Sequence, residues 1–149
     1  MFSNENISIY EDYAHHPVEV RAAICAVKGA YPNRKLAVIF QPHRYARLKK
    51  YLEEFTAELK KADIVFLLPV FSAWSSINKI SSNDLADCIG QKAVAVGGTW
   101  KEAARNITSR GGFETLLYDE KHIILILGAG DVNKITPEII GLLSKRKQL

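Results

Sequence analysis

The chain has 149 residues, 48% of them hydrophobic and 24% charged. That is the length of one ordinary domain, able to bury roughly 70% of the surface its unfolded form exposes, and the composition excludes disordered and fibrous classes. The formal net charge of +4 comes mostly from dispersed lysines and arginines, so it gives only weak support for an anionic partner, and no nucleic-acid partner is expected.

Short apolar runs of strand type alternate with longer runs of helical period, the βα pattern of a parallel sheet covered on both faces. Ile7 to Tyr10 is the first predicted strand, and Pro17 sits in the first turn of a helix that continues to about Gly29 and is stopped by the Tyr31-Pro32-Asn33 turn. Leu36 to Phe40 is an unbroken apolar strand, and Leu48, Leu52, Phe55 and Leu59 follow it on one face at helical spacing. Ile64 to Val70 is a third strand, followed by a serine-rich loop from Ser72 to Ser82 and a short helix around Asn83 to Ile89.

Ala93 to Val96 is a fourth strand, and Thr99-Trp100-Lys101-Glu102 has the capping-box spacing that starts a helix running to about Arg110. Phe113 to Tyr118 reads either as a strand or as one helical turn. His122 to Leu127 is the next strand and ends in Gly128-Ala129-Gly130-Asp131, after which Thr136-Pro137-Glu138 opens a last helix with a cap and a first-turn proline. With no repeat, linker or low-complexity stretch, residues 1–149 read as one three-layer α/β/α domain, doubly wound around a mostly parallel sheet of about six strands.

The longest apolar runs are too short to cross a bilayer, and the N-terminal MFSNENISIYED has no basic segment leading into an apolar one, so no membrane partner and no export are expected. Cys25 and Cys88 are expected on buried helix faces as thiols in a reducing cytoplasm, with neither a disulfide nor a zinc spacing.

In open α/β sheets, ligands bind beyond the carboxyl ends of the strands, where loops meet helix N-termini. Three histidines, two arginines and two tyrosines fall in two such loops, EDYAHHP and QPHRYAR. Arg44 and Arg47 share one side if the segment is helical from about Tyr45, and such forks bind carboxylate or phosphate. The alternative is a solvated first turn, or a salt bridge to Glu53 and Glu54. Cations at a helix N-terminus are disfavoured by a few tenths of a kcal/mol or more, which favours a bound anion.

His15 and His16 could ligate metal, transfer protons, bind an anion or simply pack the loop. A metal would need a third ligand from Glu11, Asp12 or His43, and none is expected. Gly128-Ala129-Gly130-Asp131 lacks the third glycine of a dinucleotide fingerprint; its glycines let backbone approach a ligand or a neighbouring segment, with Asp131 either an acceptor in the site or a helix cap. The sequence contains neither a GxxxxGK[ST] phosphate loop nor a GxSxG elbow.

With these loops in view, the chain resembles the C-terminal domain of the Mur ligases, specifically the UDP-N-acetylmuramate:L-alanine ligase (MurC) family. Residues 10–17 resemble that family's Y-D-D-Y-[GA]-H-H-P, residues 40–47 its F-Q-P-H-R-Y-[TS]-R, and residues 128–132 its G-A-G-D-I. The sister ligase that recycles murein tripeptide shares the first motif but carries E-P-R-S-N in place of the second. The family's third loop reads V-Y-x-A-G-E-x-P-I, and here Trp74 and Ser75 stand where it has glycine and an acid.

The resemblance implies an ATP-dependent ligase of cytoplasmic peptidoglycan synthesis, in which an acyl phosphate of UDP-N-acetylmuramate is attacked by the amine of L-alanine. It implies that Arg44 and Arg47 hold the alanine carboxylate, and that Tyr13, His15 and His43 line the pocket, with the two histidines reaching the reacting groups as catalytic residues. Asp12 and Asp131 would position loops or touch the nucleotide. ATP and Mg2+ would be bound mainly by the family's N-terminal UDP-binding and central ATP-binding domains, which these 149 residues do not include, so no cofactor is expected on this domain and the domain alone is expected to be inactive. The other reading is a non-catalytic α/β module that keeps the fold and an anion- or nucleotide-binding pocket.

Overall fold

The structure is a computed structural model that describes residues 2–3, 6–72, 80–109 and 121–146. In chain order the elements are β1 (Phe2–Ser3), β2 (Ile7–Asp12), α1 (Pro17–Ala30), β3 (Lys35–Phe40), α2 (Tyr45–Lys50), α3 (Leu52–Leu59), β4 (Ile64–Leu67), α4 (Ser82–Ile89), β5 (Ala93–Ala95), α5 (Trp100–Ser109), β6 (His122–Leu127), a 3-10 turn (Val132–Lys134) and α6 (Ile135–Arg146). The loop departures at Trp74 and Ser75 and the segment Phe113 to Tyr118 lie outside the described residues.

Among the described residues, six strands are ordered β1-β2-β6-β3-β4-β5, all parallel except β1, which pairs antiparallel with β2. The late strand β6 (HIILIL) is buried along its whole length between β2 and β3, which is why it reads as an uninterrupted apolar run. The pleat sends alternate residues to two cores. Leu36, Val38 and Phe40 join Val20, Ile24, Leu48, Phe55 and Leu59 on one face; Ala37 and Ile39 join Ile124, Ile126, Ala104, Ile107, Ile135 and Ile139 on the other. Helices α1, α3 and α4 pack side by side, and α5 packs on α6. The expected three-layer arrangement is present, and truncating a buried aromatic such as Phe40 or Phe66 would cost about 3–5 kcal/mol.

Several local expectations need correction. The helix expected across Leu48 to Leu59 is two helices, because Tyr51 adopts φ −118° and ψ 28° and turns its ring against His16, 4.7 Å away between centroids. Thr136 is not a cap: α6 already begins at Ile135, and the Thr136 hydroxyl donates to the Glu11 carboxylate, tying the helix to the end of β2. Both cysteines are exposed, since the core faces of their helices are filled by Val20, Ala23 and Ile24 in α1 and by Leu85 and Ile89 in α4. His122 is buried at the start of β6, at the far end of the strands from the histidine and arginine loops. No helix among the described residues is long and apolar enough to cross a membrane.

Candidate functional site

Because β2, β6 and β3 are neighbours in the sheet, the loops leaving their carboxyl ends meet on one rim. These are the histidine loop 13–16, the arginine loop 41–44 and the glycine turn 128–131, joined from the side by Phe71 after β4.

The histidine loop is built by two carboxylates. Asp12 Oδ1 accepts from the Ala14 amide at 2.8 Å, closing a tight turn directly after β2. Glu19 Oε2 accepts from the amides of His15 and His16 at 2.9 and 3.0 Å, covering the N-terminus of α1. The His15 amide above all, together with that of His16, holds the Glu19 carboxyl below its ordinary value against the opposing effect of burial. The His15 ring donates from Nδ1 to the Tyr13 carbonyl at 3.0 Å, with Glu19 Oε2 3.3 Å from the same nitrogen. With its proton on Nδ1, neutral His15 has its free lone pair on Nε2.

The arginine loop is held by Phe71. The Phe71 amide donates to the Pro42 carbonyl at 2.8 Å and the Arg44 amide donates to the Phe71 carbonyl at 2.9 Å, so His43 and Phe71 form a parallel bridge. That clamp forces Arg44 into φ +69°, the one positive φ among the described residues other than glycine. A side chain held there costs about 1–3 kcal/mol, strain that persists only where the surroundings impose it. Helix α2 starts at the next residue, Tyr45, the condition under which Arg44 and Arg47 were expected to share one side, and Arg47 Nη1 donates to His43 Nδ1 at 3.3 Å.

His43 therefore differs from His15: its Nδ1 accepts, so its proton sits on Nε2. Burial first, then the charge of Arg47, the neighbouring His15 imidazole whenever it is protonated, and the charge of Arg44 push its imidazole below 6.5. Four rings run in a row across the rim. Centroids are 5.4 Å apart for Tyr13 and His15, 5.6 Å for His15 and His43, and 5.4 Å for His43 and Phe71, the last pair stacked at 13°. Arg44 is exposed, Arg47 half-buried, and Tyr13 is 70% exposed. Among the described residues neither arginine has a carboxylate partner, so the salt bridge to Glu53 or Glu54 is not formed.

The glycine turn approaches neighbouring protein. A Cβ on Gly130 would lie 2.6 Å from Gln41 Oε1 and 2.7 Å from Phe71 Cγ, so only glycine lets the turn close against the ring that supports His43. Gln41 is buried and donates from Nε2 to Asp131 Oδ1 at 3.1 Å, while Lys134 Nζ reaches Asp131 Oδ2 at 3.3 Å. Burial pushes the Asp131 carboxyl up, but these two donors outweigh it and hold it below 3.8. Of its two readings, Asp131 is an acceptor, for Gln41 rather than for a helix end. A cavity of about 270 Å3 lies beside it, with Glu11, Asp12, Tyr13 and Asn133 in its wall.

Five residues singled out in the sequence thus come together around one rim: Tyr13, His15, His43, Arg44 and Arg47. Asp12 and Asp131 hold loops instead. Sequence reasoning missed Phe71, Gln41 and Glu19. Only Glu19 left a local signal, its position three residues after the helix-flanking His16; histidine in place of the usual serine or threonine hid the capping pattern. Among the described residues, no group of three or more His, Cys, Asp or Glu side chains is placed to hold a metal ion.

Residues 1–130 match the family model of the Mur ligase glutamate ligase domain. The UDP-N-acetylmuramate–L-alanine ligase of Desulfitobacterium hafniense is 33% identical over 142 residues, covering 92% of this chain and 30% of that protein. The enzyme of the same description from a Nostoc species is 36% identical over 140 residues, covering 91% of this chain and 27% of its own length. The chain thus spans about 30% of the curated relatives it matches. Among solved structures, the UDP-N-acetylmuramate-alanine ligase of Thermotoga maritima superposes with a TM-score of 0.73 at 25% identity, covering 97% of this chain and 29% of that one. A ligase domain from Haemophilus ducreyi shares the fold, with a TM-score of 0.66 at 22% identity and 92% of its length covered. The chain belongs to the Mur ligase C-terminal domain family, and the relatives it matches over most of its length are UDP-N-acetylmuramate–L-alanine ligases.

Proposed function

We propose that this chain is the amino-acid-binding, lid-like domain of an ATP-dependent UDP-N-acetylmuramate:L-alanine ligase acting in cytoplasmic peptidoglycan precursor synthesis. The observation that carries the reading is the pair Arg44 and Arg47: two guanidinium groups at the start of one helix, without a carboxylate partner among the described residues, on backbone held at a strained φ of +69°. An unneutralised pair at that place is suited to a ligand carboxylate.

In this reading the arginines hold the alanine carboxylate and Tyr13 walls the pocket. Alanine arrives as an ammonium ion and must lose a proton before its nitrogen attacks the acyl phosphate. The lone pair on His15 Nε2 suits it to accept that proton, while His43, neutral and protonated on Nε2, suits a hydrogen-bond donor. Asp12 and Asp131 keep the loops in register.

ATP and Mg2+ belong to the reaction, but this chain's donor set does not fit the metal. Asp12 is turned to the Ala14 amide, Asp131 is turned to Gln41 and Lys134, and no third carboxylate or imidazole converges with them among the described residues. The sequence also has no phosphate loop. Phosphoryl transfer and the UDP-N-acetylmuramate site fall to domains outside these residues. Two assays test the reading. The 149-residue chain mixed with ATP, Mg2+, UDP-N-acetylmuramate and L-alanine makes no amide; product would overturn the lid assignment. In the longest natural chain carrying the domain, ethylamine, which has no carboxylate, is a poor substrate that loses nothing further with Arg47→Ala. An equal loss with ethylamine and alanine would give Arg47 another role.

A further inference from the structure

At the opposite end of the sheet, one full strand length (~17 Å at 3.3 Å per residue) from the rim, lies a separate cavity. Its volume is about 430 Å3, and it opens where β3, β4 and β6 begin. Lys28, Arg34, Lys35 and Lys121 line it, with a single acid, Asp63. The wall is built by the strand starts: the Lys35 amide donates to the Lys121 carbonyl at 3.1 Å, and the Leu36 amide donates to Asp63 Oδ2 at 2.8 Å.

These cations are positioned without being used up. Lys28 Nζ spends one donor on the Lys61 carbonyl at 2.7 Å. The Arg34 guanidinium spends one on Ser8 Oγ at 3.0 Å and lies 5.2 Å over the Tyr31 ring, which leaves most of its fork free. Lys35 Nζ is 3.9 Å from Asp63 Oδ1, an ion pair too long for a hydrogen bond. A lone carboxylate ligand would need only one fork. Four separate cations around a space the size of a small-ligand pocket match an anion with several charges in a compact volume.

We propose that this cavity is a binding site for a compact oligophosphate, either free or carried on a nucleotide, distinct from the amino-acid rim. A nucleic-acid strand is disfavoured, because the surface is a pocket and its aromatic face, Tyr31, is already covered by Arg34.

The test is an amide NMR titration of the 149-residue chain with pyrophosphate and, in a parallel arm, ADP. Saturable shifts are expected at Asn33, Arg34, Lys35 and Lys121, with equal affinities pointing to a free oligophosphate and tighter ADP binding to a nucleotide. Lys35→Gln and Lys121→Gln should each weaken pyrophosphate binding about two- to fivefold, the scale of a solvent-exposed charge contact. Asp63→Asn should tighten it by a similar factor. Shifts confined to residues 13–16 and 41–47, affinity indifferent to the two lysine variants while each keeps the parent unfolding midpoint, or no saturable binding of either probe would each overturn the proposal.

Discussion

Arg47 Nη1 donates to His43 Nδ1 across 3.3 Å, and the same imidazole is stacked on Phe71 with ring centroids 5.4 Å apart. One contact fixes the tautomer and the other fixes the plane. The ring that looked in the sequence like an acid-base candidate is therefore a neutral group whose Nδ1 lone pair is already engaged. It also orients the guanidinium that faces the substrate carboxylate in the proposed reading.

His43 should titrate below 6.5, and in Arg47→Ala it should titrate higher, because one repelling charge is gone while burial remains. A carboxylate bound to the arginines should raise its pKa. The sign follows: the bound state takes up a proton more readily, so carboxylate affinity rises as pH falls through the window just below 6.5. Imidazole proton shifts with and without L-alanine check this; an unshifted His43 would separate it from the arginine pair.

Arg44→Ala and Arg44→Gly both remove the cation, but only glycine accepts φ +69° freely. The glycine variant should be the more stable of the two by about 1 kcal/mol, or about 2–4 °C in Tm. Equal midpoints in thermal unfolding would mean that the loop is not strained.

Gly130→Ala places a methyl group 2.6 Å from Gln41 Oε1 and 2.7 Å from Phe71 Cγ. Overpacking of this kind costs about 1–3 kcal/mol. The displaced Phe71 should also change the ring-current shift of His43. Adding Phe71→Ala should recover part of the lost stability, a non-additivity that a denaturant double-mutant cycle measures.

Three helices begin under a carboxylate that accepts from a flanking amide: Glu19 for α1, Asp84 from Ser81 for α4, and Glu102 from Thr99 for α5. All three carboxyls are held below their ordinary values, Glu19 and Glu102 first by those amides and Asp84 first by the Ser81 hydroxyl and then by its amide. The unfolded chain therefore protonates first, so the stabilisation is present above about 4.5 and is lost as pH falls below it. Denaturant midpoints should drop between pH 6 and pH 3.5, and Glu19→Gln should lower the midpoint at pH 7 and flatten that drop.

The sheet was legible because β3 and β6 are buried on both faces and read as apolar runs, and the capping pattern of Thr99 and Glu102 announced α5 in full. The rim was legible in part: EDYAHHP and QPHRYAR pointed to five side chains that the fold brings together, four on two loops and Arg47 on the first turn of α2. What stayed hidden was long-range. Phe71 belongs to a different βα unit from His43, Asp131 stands 90 residues from the Gln41 it accepts from, and no local period records such pairings. The break at Tyr51 was hidden for the same reason, since the ring turns toward His16 on another element. The exposed cysteines show a smaller failure, in which a residue one step from a buried Ile was assigned to the wrong side of its helix.

The Michaelis constant for L-alanine in the longest natural chain carrying this domain, compared between the parent and Arg47→Ala, tests the central claim most directly. Loss of one charge-assisted contact, about 1.5–3 kcal/mol, should raise that constant roughly ten- to a hundredfold. An unchanged constant would remove Arg47 from the carboxylate site and contradict the account.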